Sequence, residues 1–126
     1  MPNKKKILIV DDNQSFLKVL NNFLSEYEYD VVCSHNGNDA KDKFEEFTPD
    51  IVVTDVVMPE VDGIELLLSL RNKNPEISVI VMSGGNRGYA DSYLNMAEKL
   101  GADVILNKPF ELSTLLDEIK KIDHGK

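Results

Sequence analysis

Apolar positions along this chain follow two rhythms that alternate from end to end. Short continuous apolar runs, rich in β-branched residues, occur at 6–10 (KILIV), 31–34, 50–54 (DIVVT), 77–82 (ISVIVM) and 103–106 (DVIL). Between them the apolar positions are spaced as on one face of a helix. Phe16, Val19, Leu20, Phe23, Leu24 and Tyr27 mark such a face over 13–28. Ala40, Phe44 and Phe47 mark another over 36–47, closed by Pro49. Ile64, Leu67, Leu68 and Leu70 mark a third over 62–73, closed by Asn74 and Pro75. A fourth helix is predicted over 90–100, with Gly101 as its stop. A fifth, over 111–122, carries Leu112, Leu115, Leu116, Ile119 and Ile122 on one face. Strands that read as unbroken apolar runs are buried on both faces of their sheet. Right-handed strand–helix–strand crossovers then give an α/β fold, a doubly wound five-stranded parallel sheet flanked by five helices.

Composition narrows the class. The 126 residues are 42% hydrophobic, enough to build a core in one domain spanning 1–126. Acidic residues outnumber basic ones, 22 against 14, for a formal net charge of −8. An acidic surface argues against direct nucleic-acid binding, which needs cations to displace counterions. It argues equally against an anionic membrane surface. Cys33 is the single cysteine, so no intrachain disulfide or CxxC metal clip can form, and a reducing cytoplasm is expected. The opening MPNKKKILIV has the charges of a signal peptide, but its apolar run ends at Asp11 and Asp12.

In a doubly wound sheet, ligands bind beyond the carboxyl ends of the strands. Four of the five predicted strands deliver a polar group to that edge. Asp11 and Asp12 follow the first, Asp55 the third, Ser83 the fourth and Lys108 the fifth, before Pro109. Carboxylates gathered within about 4–5 Å repel by several kcal/mol at an effective dielectric near 20. A cation among them removes that repulsion. Hard oxygen donors of this kind suit Mg²⁺. A lysine and a hydroxyl beside them can hydrogen-bond a phosphoryl group, with one carboxylate as its acceptor. Singly, each residue has a plainer use. Asp11, Asp12 and Asn13 can cap the first helix, Asp55 or Ser83 can form a turn, and Lys108 can be a solvated lysine. Their joint placement at one edge favours the functional reading.

Four segments carry a family resemblance: IVDDN at 9–13, DVVMPEVDG at 55–63, MSGG at 82–85 and NKPF at 107–110. In this order and spacing they resemble the response regulator receiver domain of two-component systems, over essentially the whole chain. The resemblance implies a flavodoxin-like sheet of order 2-1-3-4-5. It implies that Asp55 is the phosphoacceptor. It gives Asp12 and Asp55 as direct Mg²⁺ ligands (Mn²⁺ is an accepted substitute), Asp11 as acting through a metal-bound water, and the Val57 backbone carbonyl as a further ligand. Ser83 takes the role of the switch hydroxyl and Lys108 that of the lysine pairing with phosphoryl oxygens. The Lys108–Pro109 bond is expected to be cis. Phosphoryl groups would come from a sensor histidine kinase, a phosphotransfer protein or a small donor such as acetyl phosphate. Such a protein is a switch that catalyses only its own phosphorylation and dephosphorylation.

The sequence departs from the family pattern in places. Ile105 stands where many members carry a Tyr or Phe that swings inward, so the Ser83 movement is expected without the coupled aromatic rotation. Val57 and Gly85, two residues beyond Asp55 and Ser83, offer nothing to orient an attacking water, and slow self-dephosphorylation is expected. The glycine-rich stretch 83–88 (SGGNRG) is not a P-loop and reads as a lid or a plain surface loop. No effector domain is expected after the last helix, whether the receiver stands alone or is excised from a longer chain. Output to a downstream protein would use the face of the fourth helix, fifth strand and last helix, 90–122, in a monomer or a phosphorylation-dependent dimer. Two alternatives remain at this level. One is a degenerate receiver acting only as a protein-binding module. The other is a phosphatase of the haloacid dehalogenase type, which needs a DxD pair on one strand end where this chain has adjacent aspartates.

Overall fold

A computed structural model of the chain describes residues 4–55, 63–84 and 101–124. The elements are β1 (Lys6–Val10), α1 (Gln14–Ser25), β2 (Asp30–Ser34), α2 (Gly37–Phe47), β3 (Ile51–Asp55), α3 (Gly63–Lys73), β4 (Ser78–Gly84), β5 (Val104–Lys108) and α4 (Leu112–His124). The strands form one sheet of order β2-β1-β3-β4-β5, and every neighbouring pair is parallel. The predicted sheet is therefore present. Four of the predicted helices stand among the described residues, and the one expected over 90–100 lies outside them. Val57 and the 85–88 stretch lie outside them as well.

Two cores explain the unbroken apolar runs. Strand side chains alternate between faces, and both faces of this sheet are covered by helices. Leu8, Val10, Val52, Val79 and Val81 pack under α2 and α3, against Ala40, Phe44, Leu66, Leu67 and Leu70. Ile7, Ile9, Ile51, Val53, Ile80 and Met82 pack on the other face, against Leu17, Leu20 and Leu24 of α1 and Leu115, Leu116 and Ile119 of α4. Among the described residues, Val19, Tyr27, Phe47 and Leu68 of the helical rhythm fall outside these cores. Val19, Tyr27 and Leu68 are each close to half exposed.

The starts of α1 and α2 are set by asparagine caps. Asn13 is extended (φ −88°, ψ 101°) and its side chain accepts from the Phe16 N–H. Asn36 does the same for the Asp39 N–H at 2.7 Å. Helix α1 is shorter than the 13–28 expected. The N–H groups of Glu26, Tyr27 and Glu28 bond the carbonyls three residues back, and Glu28 then turns to φ 68°. Tyr27 is thus carried past the end of the helix. At the other end of the chain, α4 runs to His124, two residues beyond the predicted limit at 122.

Strand order reverses between β1 and β3, which are neighbours while β2 lies on the far side of β1. The two strands whose ends carry the aspartates therefore flank the crevice where such sheets bind ligands.

Candidate functional site

The site is built at the carboxyl edge of the sheet. The Asp11 N–H still donates to Ser34 O at 3.1 Å, continuing the β1–β2 ladder, so the Asp11 carboxylate leaves the sheet at a fixed point. Asp55 is the last residue of β3, in register with Met82 of β4. Asp11 and Asp55 are buried, at 1% and 7% exposure, whereas Asp12 is open to solvent. One oxygen from each of the three carboxylates lies within 4.8 Å of the others. Sequence reasoning put these three together, and the structure does so too.

Lys108 ends β5 and reaches back across the sheet edge. Its Nζ donates to Asp11 Oδ2 at 2.5 Å and lies 3.5 Å from Asp55 Oδ2. The Lys108–Pro109 peptide bond is cis, as expected. Asp11 uses its second oxygen locally, Oδ1 accepting the Asn13 N–H at 2.9 Å. The capping expected of this segment is present, and Asn13 supplies it. Asn13 caps α1, while Asp11 braces Asn13 and binds Lys108.

Charge counting tests the fit of a metal. Three carboxylates against one ammonium leave two formal negative charges at the edge. Two buried hard oxygen donors and one exposed donor match the preference of Mg²⁺ for carboxylates combined with retained waters. Asp11, Asp12 and Asp55 are the residues that would hold the ion.

A family model of the response regulator receiver domain matches residues 7–120. The chain belongs to the response regulator receiver family. This receiver is 36% identical over 118 residues to the chemotaxis protein CheY of Listeria monocytogenes, covering 92% of this chain and 96% of that protein. Its fold is similar to the crystal structure of a CheY-like receiver domain protein from Methanospirillum hungatei. The TM-score is 0.88, with 27% identity and coverage of 96% and 95% of the two chains. A receiver domain from Bermanella marisrubri gives a TM-score of 0.84 at 35% identity, covering 94% of this chain and 98% of that one. The chain is thus a receiver of two-component signal transduction, a class of signalling switch that binds Mg²⁺ through acidic residues and works between histidine kinases or phosphotransfer proteins and downstream targets. Among the described residues no helix is long and apolar enough to cross a membrane.

Other expected positions of the receiver are distributed as follows. Ser83 lies within β4, its backbone in register with Asn107, and the position of its hydroxyl lies outside what is described. Val57 is outside the described residues. Ile105 sits on β5 opposite Val81, half-buried and packed against the α2–α3 core. The sequence places Phe16 only among the apolar positions of the first helix. Its ring lies under Lys108, with Nζ 4.7 Å from the centroid, and meets Phe110 edge-on at 6.1 Å and 71°. Helical spacing identifies Phe16 as inward-facing, but nothing in its own segment indicates what lies above the ring.

Proposed function

We propose that this receiver accepts a phosphoryl group on Asp55 and passes the signal to a protein partner. The observation that carries the reading is the Asp11–Asp55–Lys108 constellation, two buried carboxylates joined by one ammonium at the switch point of the sheet. An Asp55 carboxylate oxygen attacks phosphorus in the donor. The bond from phosphorus to the donor breaks, P–N in a phosphohistidine or P–O in acetyl phosphate. The donor leaves as imidazole or acetate, and the product is an aspartyl phosphate. Lys108 already lies 3.5 Å from Asp55 Oδ2, so its ammonium reaches an oxygen of the attached phosphoryl group with a small shift. Asp11 holds Lys108 in that place. Asp12, Asp55 and the Val57 carbonyl would hold Mg²⁺, with Asp11 acting through a water, and the ion would supply charge neutralisation for the transferring group.

Ser83 is the switch hydroxyl in this reading, and the aromatic half of the switch is replaced by the packed Ile105. Phosphorylation biases a two-state surface around β5 and the flanking helices, where a downstream protein docks. Only the chain's own phosphorylation and dephosphorylation are catalysed, and the second is slow because Val57 and Gly85 present no group to an attacking water. The test is chemical trapping. After incubation with acetyl phosphate and Mg²⁺, hydroxylamine converts an acyl phosphate to a hydroxamate. Peptide mapping is expected to find it at Asp55, and a hydroxamate at another residue, or none, would refute the assignment.

A further inference from the structure

Lysine is a compact charge on a flexible stem, and an ammonium left unrestrained can leave its partner for solvent. Lys108 is about a fifth exposed, so solvent reaches it. The restraint on it is visible as a closed circuit. Asp11 Oδ1 accepts the Asn13 N–H at 2.9 Å, Asn13 Oδ1 accepts the Phe16 N–H at 3.1 Å, the Phe16 ring faces the Lys108 ammonium, and that ammonium returns to Asp11 Oδ2. Phe110 meets Phe16 edge-on and fixes the tilt of its ring. The negative face of an aromatic ring attracts a cation held within about 6 Å of its centroid.

We infer that Phe16 is a positioning residue for phosphoryl transfer, its ring acting with Asp11 to hold the Lys108 ammonium over Asp55. The helix cap and the site are then one device. The same turn that starts α1 places the ring that aims the lysine. The inference rests on Asp55 as the phosphoacceptor and extends the site to a residue that touches neither metal nor phosphoryl group.

Two readouts on the full chain test it. The first is the proton shift of the Lys108 ε-methylene in the wild-type protein. A ring face above or below these protons moves them upfield, and the same displacement is expected in Phe16→Tyr and its disappearance in Phe16→Leu. The second is the initial rate of phosphorylation by acetyl phosphate with Mg²⁺, a small donor that needs no docking surface. Phe16→Leu, which keeps the apolar volume and loses the ring, is expected to be slower by about three- to tenfold. Phe16→Tyr is expected to retain close to the wild-type rate. A purely structural role for Phe16 would lower the melting temperature of Phe16→Leu and leave its phosphorylation rate at the wild-type value. An undisplaced Lys108 resonance in the wild type overturns the inference, as does a Phe16→Leu rate equal to wild type. Failure of the underlying reading looks different, because then no variant, wild type included, takes up phosphoryl on Asp55 while the lysine shift persists.

Discussion

Replacing Lys108 with methionine removes the ammonium and keeps most of the stem. At an effective dielectric near 20, the attraction of Nζ to Asp11 Oδ2 at 2.5 Å is about 7 kcal/mol, and to Asp55 Oδ2 at 3.5 Å about 5 kcal/mol. Desolvation of the ions offsets most of this gross energy. Removing one partner nevertheless leaves Asp11, 1% exposed, as a buried carboxylate facing a second buried carboxylate. Breaking such a pair costs about 3–5 kcal/mol, and partial exposure of Lys108 argues for the lower end. At about 2.1 cal/mol/K of unfolding entropy per residue, 3 kcal/mol lowers Tm by about 10 °C in a chain of 126 residues. That loss is expected in EDTA. A divalent cation changes the result, because Lys108 shares the carboxylate oxygens that the cation needs. Without the lysine, Mg²⁺ binds more tightly, and ion at a hundred times its Kd returns about 2.7 kcal/mol. The assay is thermal unfolding followed by circular dichroism, for wild type and Lys108→Met, in EDTA and across a Mg²⁺ series. An unchanged Tm in EDTA, or a smaller Mg²⁺-induced gain in the variant than in wild type, would refute the charge argument.

Other predictions concern regions outside this edge. Hydrogen bonds from Ser34 and Lys43, in that order, hold the Asp39 carboxyl below the usual carboxylate range. A depressed folded pKa gives stability that is present above the unfolded value near 3.9 and lost as pH falls through the folded one. Asp39→Asn should therefore cost up to about 1 kcal/mol in urea unfolding at pH 7, and the difference from wild type should vanish in acid. Burial pushes the Cys33 thiol up, with Lys43 opposing weakly, so alkylation by iodoacetamide at pH 8 should be slower than for a free thiol. A rate equal to that of a small-molecule thiol would contradict this. Gly101 has φ 92°, and a Cβ there would find only ordinary contact with Arg71 Nη2 at 3.9 Å. Gly101→Ala should thus cost about 1–2 kcal/mol through the backbone alone, read as a lower urea midpoint with unchanged m-value.

The alternation of unbroken apolar runs with helical spacing was enough to read the sheet, because a sheet covered on both faces has no polar face to disguise it. The strand ends were read less accurately. Asp55 and Lys108 looked like residues that follow β3 and β5, yet they are the last members of those strands. Polarity ends the apolar run, but the backbone ladder does not need apolar side chains and continues through Asp55–Met82 and Gly84–Lys108. The helix limits slipped for a similar reason. Tyr27 keeps the apolar rhythm of α1, while a positive φ at Glu28, which no residue type announces, sets where the helix stops. On α3 the buried stripe is rotated from the one the spacing suggests, since Leu68 is close to half exposed while Leu66 is buried beside Leu67 and Leu70. At the site, the carboxylates and Lys108 were legible because each carries chemistry that is out of place at a strand end. Phe16 was not, because its importance lies in the approach of the α1 start to the β5 end, two segments far apart in the chain that only the tertiary fold brings together.

The central claim is that Asp55 accepts phosphoryl, and intact mass spectrometry tests it most directly. Wild type and Asp55→Asn are each incubated with acetyl phosphate in the presence of Mg²⁺ and again in EDTA. Wild type should gain the mass of one phosphoryl group with Mg²⁺ and little in EDTA, while Asp55→Asn should gain none in either. Equal uptake by the two proteins would contradict the account.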